Sequence, residues 1–182
     1  MRIVAGAWRG RTLIAPPGNQ TRPTADRVRQ ALFDMLLHAP WGGRDAMEGA
    51  QVLDVFAGTG ALGLEALSRG AAHVTFIEQH RTALTALRAN IAACRAEHCC
   101  TMLPVDALAA LPSEPASLIF LDPPYGNDLV RRAVGHLRAV ARLAPGAIMV
   151  AETGRDEPVP TSAPLLAERV HGAARLTIWR EG

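Results

Sequence analysis

Asp54-Val55-Phe56-Ala57-Gly58-Thr59-Gly60-Ala61-Leu62-Gly63 is the stretch on which the fold turns. It continues the apolar run 51–56 and opens the helical pattern 60–69, so its glycines sit between a strand and a helix. Gly58, Gly60 and Gly63 match G-x-G-x-x-G, a spacing that allows a tight turn and close approach of a ligand to backbone at a helix N-terminus. Outward from this crossing the chain alternates. Apolar runs at 73–77, 101–105, 117–121 and 146–151 have strand length, and helical patterns at 80–96, 106–111 and 127–142 fall between them. Such βαβ repetition predicts a mostly parallel sheet covered on both faces. The end departs from it: 165–170 and 174–180 flank His171-Gly172-Ala173 and predict an antiparallel hairpin. The expected class is α/β, a Rossmann-like, mostly parallel sheet finished by that hairpin.

Ahead of the crossing, residues 2–15 read as two short strands around a Gly6-Ala7 turn, and 16–23 as a loop. A helix over 25–37 follows, capped by Thr24, with Val28, Leu32, Met35 and Leu36 on one stripe. The chain thus divides into a basic hairpin-loop-helix extension, residues 1–40, and a main domain, 41–182. All 19 basic residues are arginines. Residues 1–30 hold six of them against the single acid Asp26, a local charge of +5, while the remainder sums to −3. A basic front on a slightly acidic body predicts a polyanionic partner touched from one side. No apolar run reaches the ~20 residues of a membrane helix, and Met1–Gly6 lacks the apolar core of a signal peptide, so cytoplasm is expected. Cys94, Cys99 and Cys100 have neither disulfide nor zinc spacing, so no metal is expected. Nothing in the chain demands a dimer, and a monomer is expected.

The glycine motif alone does not separate a dinucleotide from S-adenosylmethionine (SAM). Asp54 tips the balance, because an acid before the turn suits a cationic amino group better than a pyrophosphate. Glu78, at the end of the next strand, is placed to accept ribose hydroxyl hydrogen bonds. Asp106 and the Ala107 amide, after the third strand, can read an adenine edge. With Ala57, Gly58, Thr59 and Gly60 they form the candidate cofactor set. Across the sheet, Leu118-Ile119-Phe120-Leu121 runs into Asp122-Pro123-Pro124-Tyr125. The amino nitrogen of a nucleobase is a weak nucleophile whose two hydrogens need acceptors. The Asp122 carboxylate and the Pro123 carbonyl supply them, Pro124 restrains the Pro123 backbone, and Tyr125 can stack on the base. Together these residues predict methyl transfer from SAM to an exocyclic amine, with positioning supplying most of the rate.

With these motifs in place, the chain closely resembles the bacterial RsmD family over nearly its whole length. Arg2-Ile3-Val4-Ala5-Gly6-Ala7-Trp8-Arg9-Gly10-Arg11 and Arg22-Pro23-Thr24-Ala25-Asp26-Arg27-Val28-Arg29 carry the resemblance most specifically. Phe56 through Gly70 resembles the family's SAM loop and helix, and Asp122–Tyr125 its amine-methylation motif. Departures are mild: Ala5, Ala25, Gln30 and Gln79 replace a common glycine, threonine, glutamate and acid. The resemblance implies a class I SAM-dependent methyltransferase acting on the N2 amine of one guanine of 16S rRNA, guanine 966 in the family's rRNA numbering. It implies a partly assembled 30S subunit as substrate. Arg2, Arg9 and Arg11 would press on RNA phosphates, and Arg22 and Arg27 would meet either RNA or the acids Asp26 and Asp122. Three other readings use part of the same sequence. A DNA adenine or cytosine amino-methyltransferase shares Asp122–Tyr125, but such enzymes usually carry a separate target-recognition region, for which 182 residues leave little room. An NAD(P)-dependent oxidoreductase leaves 122–125 unexplained. A non-catalytic RNA-binding assembly factor on the same fold has no use for Asp54, Glu78 or Asp122.

Overall fold

Seven strands form one sheet in the order β3-β2-β1-β4-β5-β7-β6. They are β1 Gln51–Val55, β2 His73–Ile77, β3 Cys100–Leu103, β4 Ala116–Leu121, β5 Leu143–Gly154, β6 Leu165–His171 and β7 Ala174–Arg180. The structure is a computed structural model and describes residues 1–15, 23–110, 114–124, 126, 128–158, 161 and 163–182. The first five strands are parallel, whereas β7 lies antiparallel to both β5 and β6. Strand direction follows the connections: helices between β1 and β2, β2 and β3, and β4 and β5, and a twelve-residue link between β3 and β4, return the chain parallel, while the two-residue Gly172-Ala173 link reverses it.

Because the central strands are covered on both faces, consecutive residues enter different cores. Val52, Val74, Phe76, Leu118, Phe120, Ile148, Val150, Leu176 and Ile178 point to one side. There they meet α2 (Ala61–Ser68), α3 (Arg81–Cys94), α1 (Pro23–His38) and the N-terminal segment through Ile3, Leu13, Leu32, Phe33, Leu64 and Leu87. Leu53, Val55, Ile77, Ile119, Leu121, Met149 and the fully buried Trp179 point to the other, against Val130, Ala133, Val134 and Leu137 of α4 (Leu129–Ala139).

Three local expectations change. Helix α1 begins at Pro23, which suits the first helical position because it has no N–H to satisfy, so Thr24 lies inside the first turn. The N-terminal strands reduce to a single antiparallel bridge, Arg2 to Thr12, supported by Ile3 N–H to the Arg11 carbonyl. Leu13 and Gly10 N–H also stay within the segment, bonding the Met1 and Ile3 carbonyls, while Val4 and Ala5 donate to the Glu65 carboxylate (2.8 and 3.0 Å), Ala7 to the Ser68 carbonyl and Trp8 to Ser68 Oγ. No helix forms at Asp106–Ala110. Asp106 Oδ1 accepts the Leu108 amide at 2.8 Å and closes a single turn, the local competition by which Asp disfavours helix continuation.

The N-terminal docking centres on Glu65, fully buried on α2. Besides the two amides it pairs with Arg69 Nε at 2.7 Å and faces Arg29 Nε at 3.6 Å, both guanidinium groups being buried. Arg29 also reaches Asp26 at 3.0 Å and the Arg2 carbonyl, while Arg69 stacks 4.8 Å from the Phe33 ring centre. Asn90, buried on α3, makes the second tie. Its side-chain oxygen accepts the Ile14 amide, and its nitrogen donates to the Ile14 and Thr59 carbonyls (2.7, 3.0 and 2.9 Å). The front end is thus sewn to the helix after the glycine turn and to the turn itself.

Candidate functional site

Strand order reverses between β1 and β4, and the crevice above the carboxyl ends of such strands is where open α/β sheets bind ligands. A cleft of about 1400 Å³ lies there. Its walls include Asp54, Ala57, Gly58, Thr59, Glu78, Asp106 and Ala107 on one side and Asp122, Pro123 and Pro124 on the other. The two motifs, far apart in the chain, thus face one space. Gly60 lies just beneath it, in the turn. Tyr125 and Arg22 fall outside the described residues.

The glycine turn is held from both flanks. Ala57 N–H donates to the Ile77 carbonyl at 2.9 Å and Gly60 N–H to the Ala57 carbonyl at 2.7 Å. Gly60 has φ +77°, and a Cβ there would stand 2.4 Å from Leu87 Cδ1, so both backbone and space require glycine. At Gly63 the reason is packing alone: a Cβ would sit 2.4 Å from the Phe76 ring, holding α2 away from β2.

Asp54 is buried at the floor and accepts the Gly63 amide at 2.9 Å. Burial drives its carboxyl up to about 8; the Gly63 bond opposes that rise, and the charges of Asp122 and Glu78 add to it. Glu78 is more committed than its expected role requires. One oxygen accepts Gly58 N–H at 2.9 Å, and the other accepts Gln79 and His80 N–H at 2.8 and 2.7 Å. Of roughly four acceptor positions on a carboxylate, three are filled by backbone, which leaves room for about one ligand hydroxyl rather than two. Asp122 is open to the cleft, yet the walls crowd it. Desolvation, with the Glu152 charge second, pushes its carboxyl up to about 7. Acids collected at this density favour a cationic ligand, since a positive charge offsets both the desolvation that chiefly raises them and the repulsion that adds to it. The cleft therefore fits a sulfonium and an ammonium group, and the open space beside Gly58 fits a ligand lying against backbone.

The arginines separate into two groups. Arg2, Arg9 and Arg27 are exposed. Arg11 instead lays its guanidinium on the Ala93 carbonyl near the C-terminus of α3, where a cation is favoured by the helix dipole. The acid next to Arg27, Asp26, is paired with Arg29. Sequence reasoning missed several parts of the site. Met1, Ala15, Val28, Arg29 and Leu32 form a wall of the cleft, so the front end bounds the site directly. Glu157, after β5, accepts the Gly126 amide at 2.8 Å and pins the chain just past Pro124. Glu152 of β5 lines the cleft beside Asp122. Isolated acids in a strand end and a loop carry no motif; the parallel register of β4 and β5 places Glu152, and only the Gly126 bond places Glu157. The three cysteines are free, and among the described residues no group of His, Cys, Asp and Glu is placed to hold a metal. Among them also, no helix is long and apolar enough to cross a membrane.

Comparison with known proteins gives consistent matches. The family described as Conserved hypothetical protein 95 matches residues 1–180. Ribosomal RNA small subunit methyltransferase D of Haemophilus influenzae is 35% identical, the match covering 99% of this chain and 93% of that protein. The Escherichia coli protein of the same name is 39% identical over 88% of this chain and 78% of its own length. The solved structure of Escherichia coli yhhF superposes with a TM-score of 0.84 at 36% identity, covering 99% of this chain and 97% of that one. The architecture is the class I SAM-dependent methyltransferase fold with an N-terminal extension.

Proposed function

The chain belongs to the ribosomal RNA small subunit methyltransferase D family, and from that premise we propose that it methylates the exocyclic N2 amine of one guanine in 16S rRNA, using SAM, within the 30S subunit. The observation that carries this reading is the meeting of Asp54, Gly58 and Glu78 with Asp122-Pro123-Pro124 in one cleft. SAM, held there, supplies a methyl group already activated by a sulfonium, with a neutral thioether as leaving group. Asp54 and Glu78 carry the charge and the remaining acceptor capacity that hold its amino and ribose groups, with Ala57, Thr59, Asp106 and Ala107 lining the rest. On the target side, Asp122 and the Pro123 carbonyl accept the two amine hydrogens and aim the nitrogen lone pair at the methyl carbon. Methylation, with the neutral thioether leaving, would make the nitrogen acidic. The Asp122 carboxyl, at about 7, is matched to take that proton near neutrality.

The test is incubation with methyl-labelled SAM and 30S subunits lacking native rRNA methylation, followed by nucleoside analysis. N2-methylguanosine at one position, guanine 966 in the family's rRNA numbering, supports the reading. Labelled adenine or cytosine in DNA, with unlabelled 30S, refutes it.

Because Arg9 and Arg27 are exposed and α1 bounds the cleft, both are assigned to RNA phosphates, along with Arg2. Replacing Arg9 and Arg27 together by alanine is expected to weaken RNA binding at moderate salt and leave SAM affinity unchanged. The slope of log K against log salt should shrink by roughly 0.7 for each single-strand phosphate no longer neutralised, or about 0.9 on duplex. An unaltered slope removes this face from the footprint.

A further inference from the structure

The Asp122-Pro123-Pro124 acceptors do not choose a base: adenine, cytosine and guanine all present an amine with two hydrogens. What separates guanine is the neighbouring ring nitrogen. Guanine N1 carries a hydrogen, whereas adenine N1 and cytosine N3 carry lone pairs. A guanine-specific site needs one more acceptor beside the amine, and a carboxylate there repels the other two bases.

Strands β4 and β5 are parallel, with Leu121 opposite Ala151. The next residues, Asp122 and Glu152, therefore stand side by side, and equivalent positions of a parallel pair share a face. That face is the one to which Phe120 and Val150, two residues earlier, contribute core side chains. Asp122, Val150 and Glu152 all line the cleft, opposite Val28 and Leu32 of α1 and beside Leu176 of β7. An apolar slot with two adjacent carboxylates at its edge has the shape and polarity for a flat base offering a row of N–H groups.

We propose that Glu152 accepts the N1 hydrogen of the target guanine, next to the amine held by Asp122 and Pro123, and so selects guanine over adenine and cytosine. This rests on the guanine-N2 reaction proposed above. The three donors of guanine meet three acceptors, and the repulsion between the carboxylates is relieved when N–H groups lie against them. Asp122 also feels the Glu152 charge, in keeping with the neighbouring positions that the strand register gives the two residues. Hydrogen-bonding sites of this kind discriminate strongly, because an analogue lacking the donor leaves a desolvated acceptor unpaired.

The test uses 2-aminopurine, which keeps the amine of guanine but has a lone pair at N1. Methyl transfer is measured on the same small-subunit RNA substrate bearing guanine or 2-aminopurine at the methylated position, at saturating SAM. The wild type is expected to prefer guanine by roughly 10²-fold or more in kcat/KM. Glu152→Gln, whose amide can donate to that lone pair, should shrink the preference at least tenfold. Glu152→Asp, which keeps the charge, should retain most of it. SAM affinity, measured separately by calorimetry, should stay within a few-fold in both. A guanine preference unchanged in Glu152→Gln overturns the assignment. Failure of the wild type to methylate the guanine substrate overturns the underlying reaction and this inference with it, a result seen without any substitution.

Discussion

Replacing Asp122 by alanine is expected to lower methyl transfer by roughly 10²–10⁴-fold while SAM affinity changes by no more than a few-fold. The residue belongs to the target side of the cleft, so its loss removes an amine acceptor and a proton acceptor without touching the glycine turn. The wild-type pH profile offers an independent check. Asp122 is raised to about 7 by desolvation and by Glu152, and the carboxylate must be ionised to accept a proton. Its competent form is therefore present above that value and lost as pH falls through it. Asp54, at about 8, feels the Asp122 charge, so the two titrate as a coupled pair. Accordingly kcat/KM, which reports the free enzyme, should decline toward acid from between about 7 and 8, by about tenfold for each pH unit once the first group is protonated. A flat profile from pH 8 to pH 6, or near-normal turnover by Asp122→Ala, contradicts the assigned role.

Glu65→Ala should produce the largest loss of stability. The carboxylate is fully buried and answers Val4 N–H, Ala5 N–H, Arg69 and Arg29. Removing it takes the shared carboxylate from two buried guanidinium groups, leaving Arg29 with Asp26 and Arg69 with Asp34 at 3.9 Å, and breaking a buried pair from one side costs about 3–5 kcal/mol. For a chain of this size each kcal/mol moves the melting temperature by roughly 2–4 °C. Glu65→Gln keeps the volume and one acceptor and should fall between the two. Thermal unfolding followed by circular dichroism measures this directly. A melting temperature within a degree or two of wild type for Glu65→Ala would show that water or rearranged partners replace the carboxylate.

The parts of this molecule readable from sequence are those with a short period or a short motif. Five parallel strands announced themselves as apolar runs of five or six residues, with errors mainly at their ends. Strand β5 extends from Leu143 to Gly154 because Leu143 pairs with Ala116 ahead of a register shift, which no local pattern signals. The glycine turn and Asp122–Pro124 were visible for the same reason. Asp106 was read as opening a helix because its apolar followers have helical spacing, yet its own side chain captures the Leu108 amide and ends the structure after one turn. Glu65, Asn90, Glu152 and Glu157 were opaque. Their partners are distant in sequence or defined only by strand register, so a single polar letter in an apolar helix or strand gave no hint of its work.

Asn90 has a consequence for how the hold on one substrate depends on the other. One rigid amide side chain touches the Ile14 backbone and the Thr59 carbonyl together. A ligand that shifts or stiffens the turn acts through it on the segment leading back to Arg9 and Arg11, and an RNA that stiffens that segment acts on the turn. Thermodynamic reciprocity makes the two effects equal: by whatever factor bound RNA alters the hold on SAM, bound SAM alters the hold on RNA. The front end and the glycine loop, joined through Asn90, which lies 76 residues from Ile14 and 31 from Thr59, then behave as two ends of one balance.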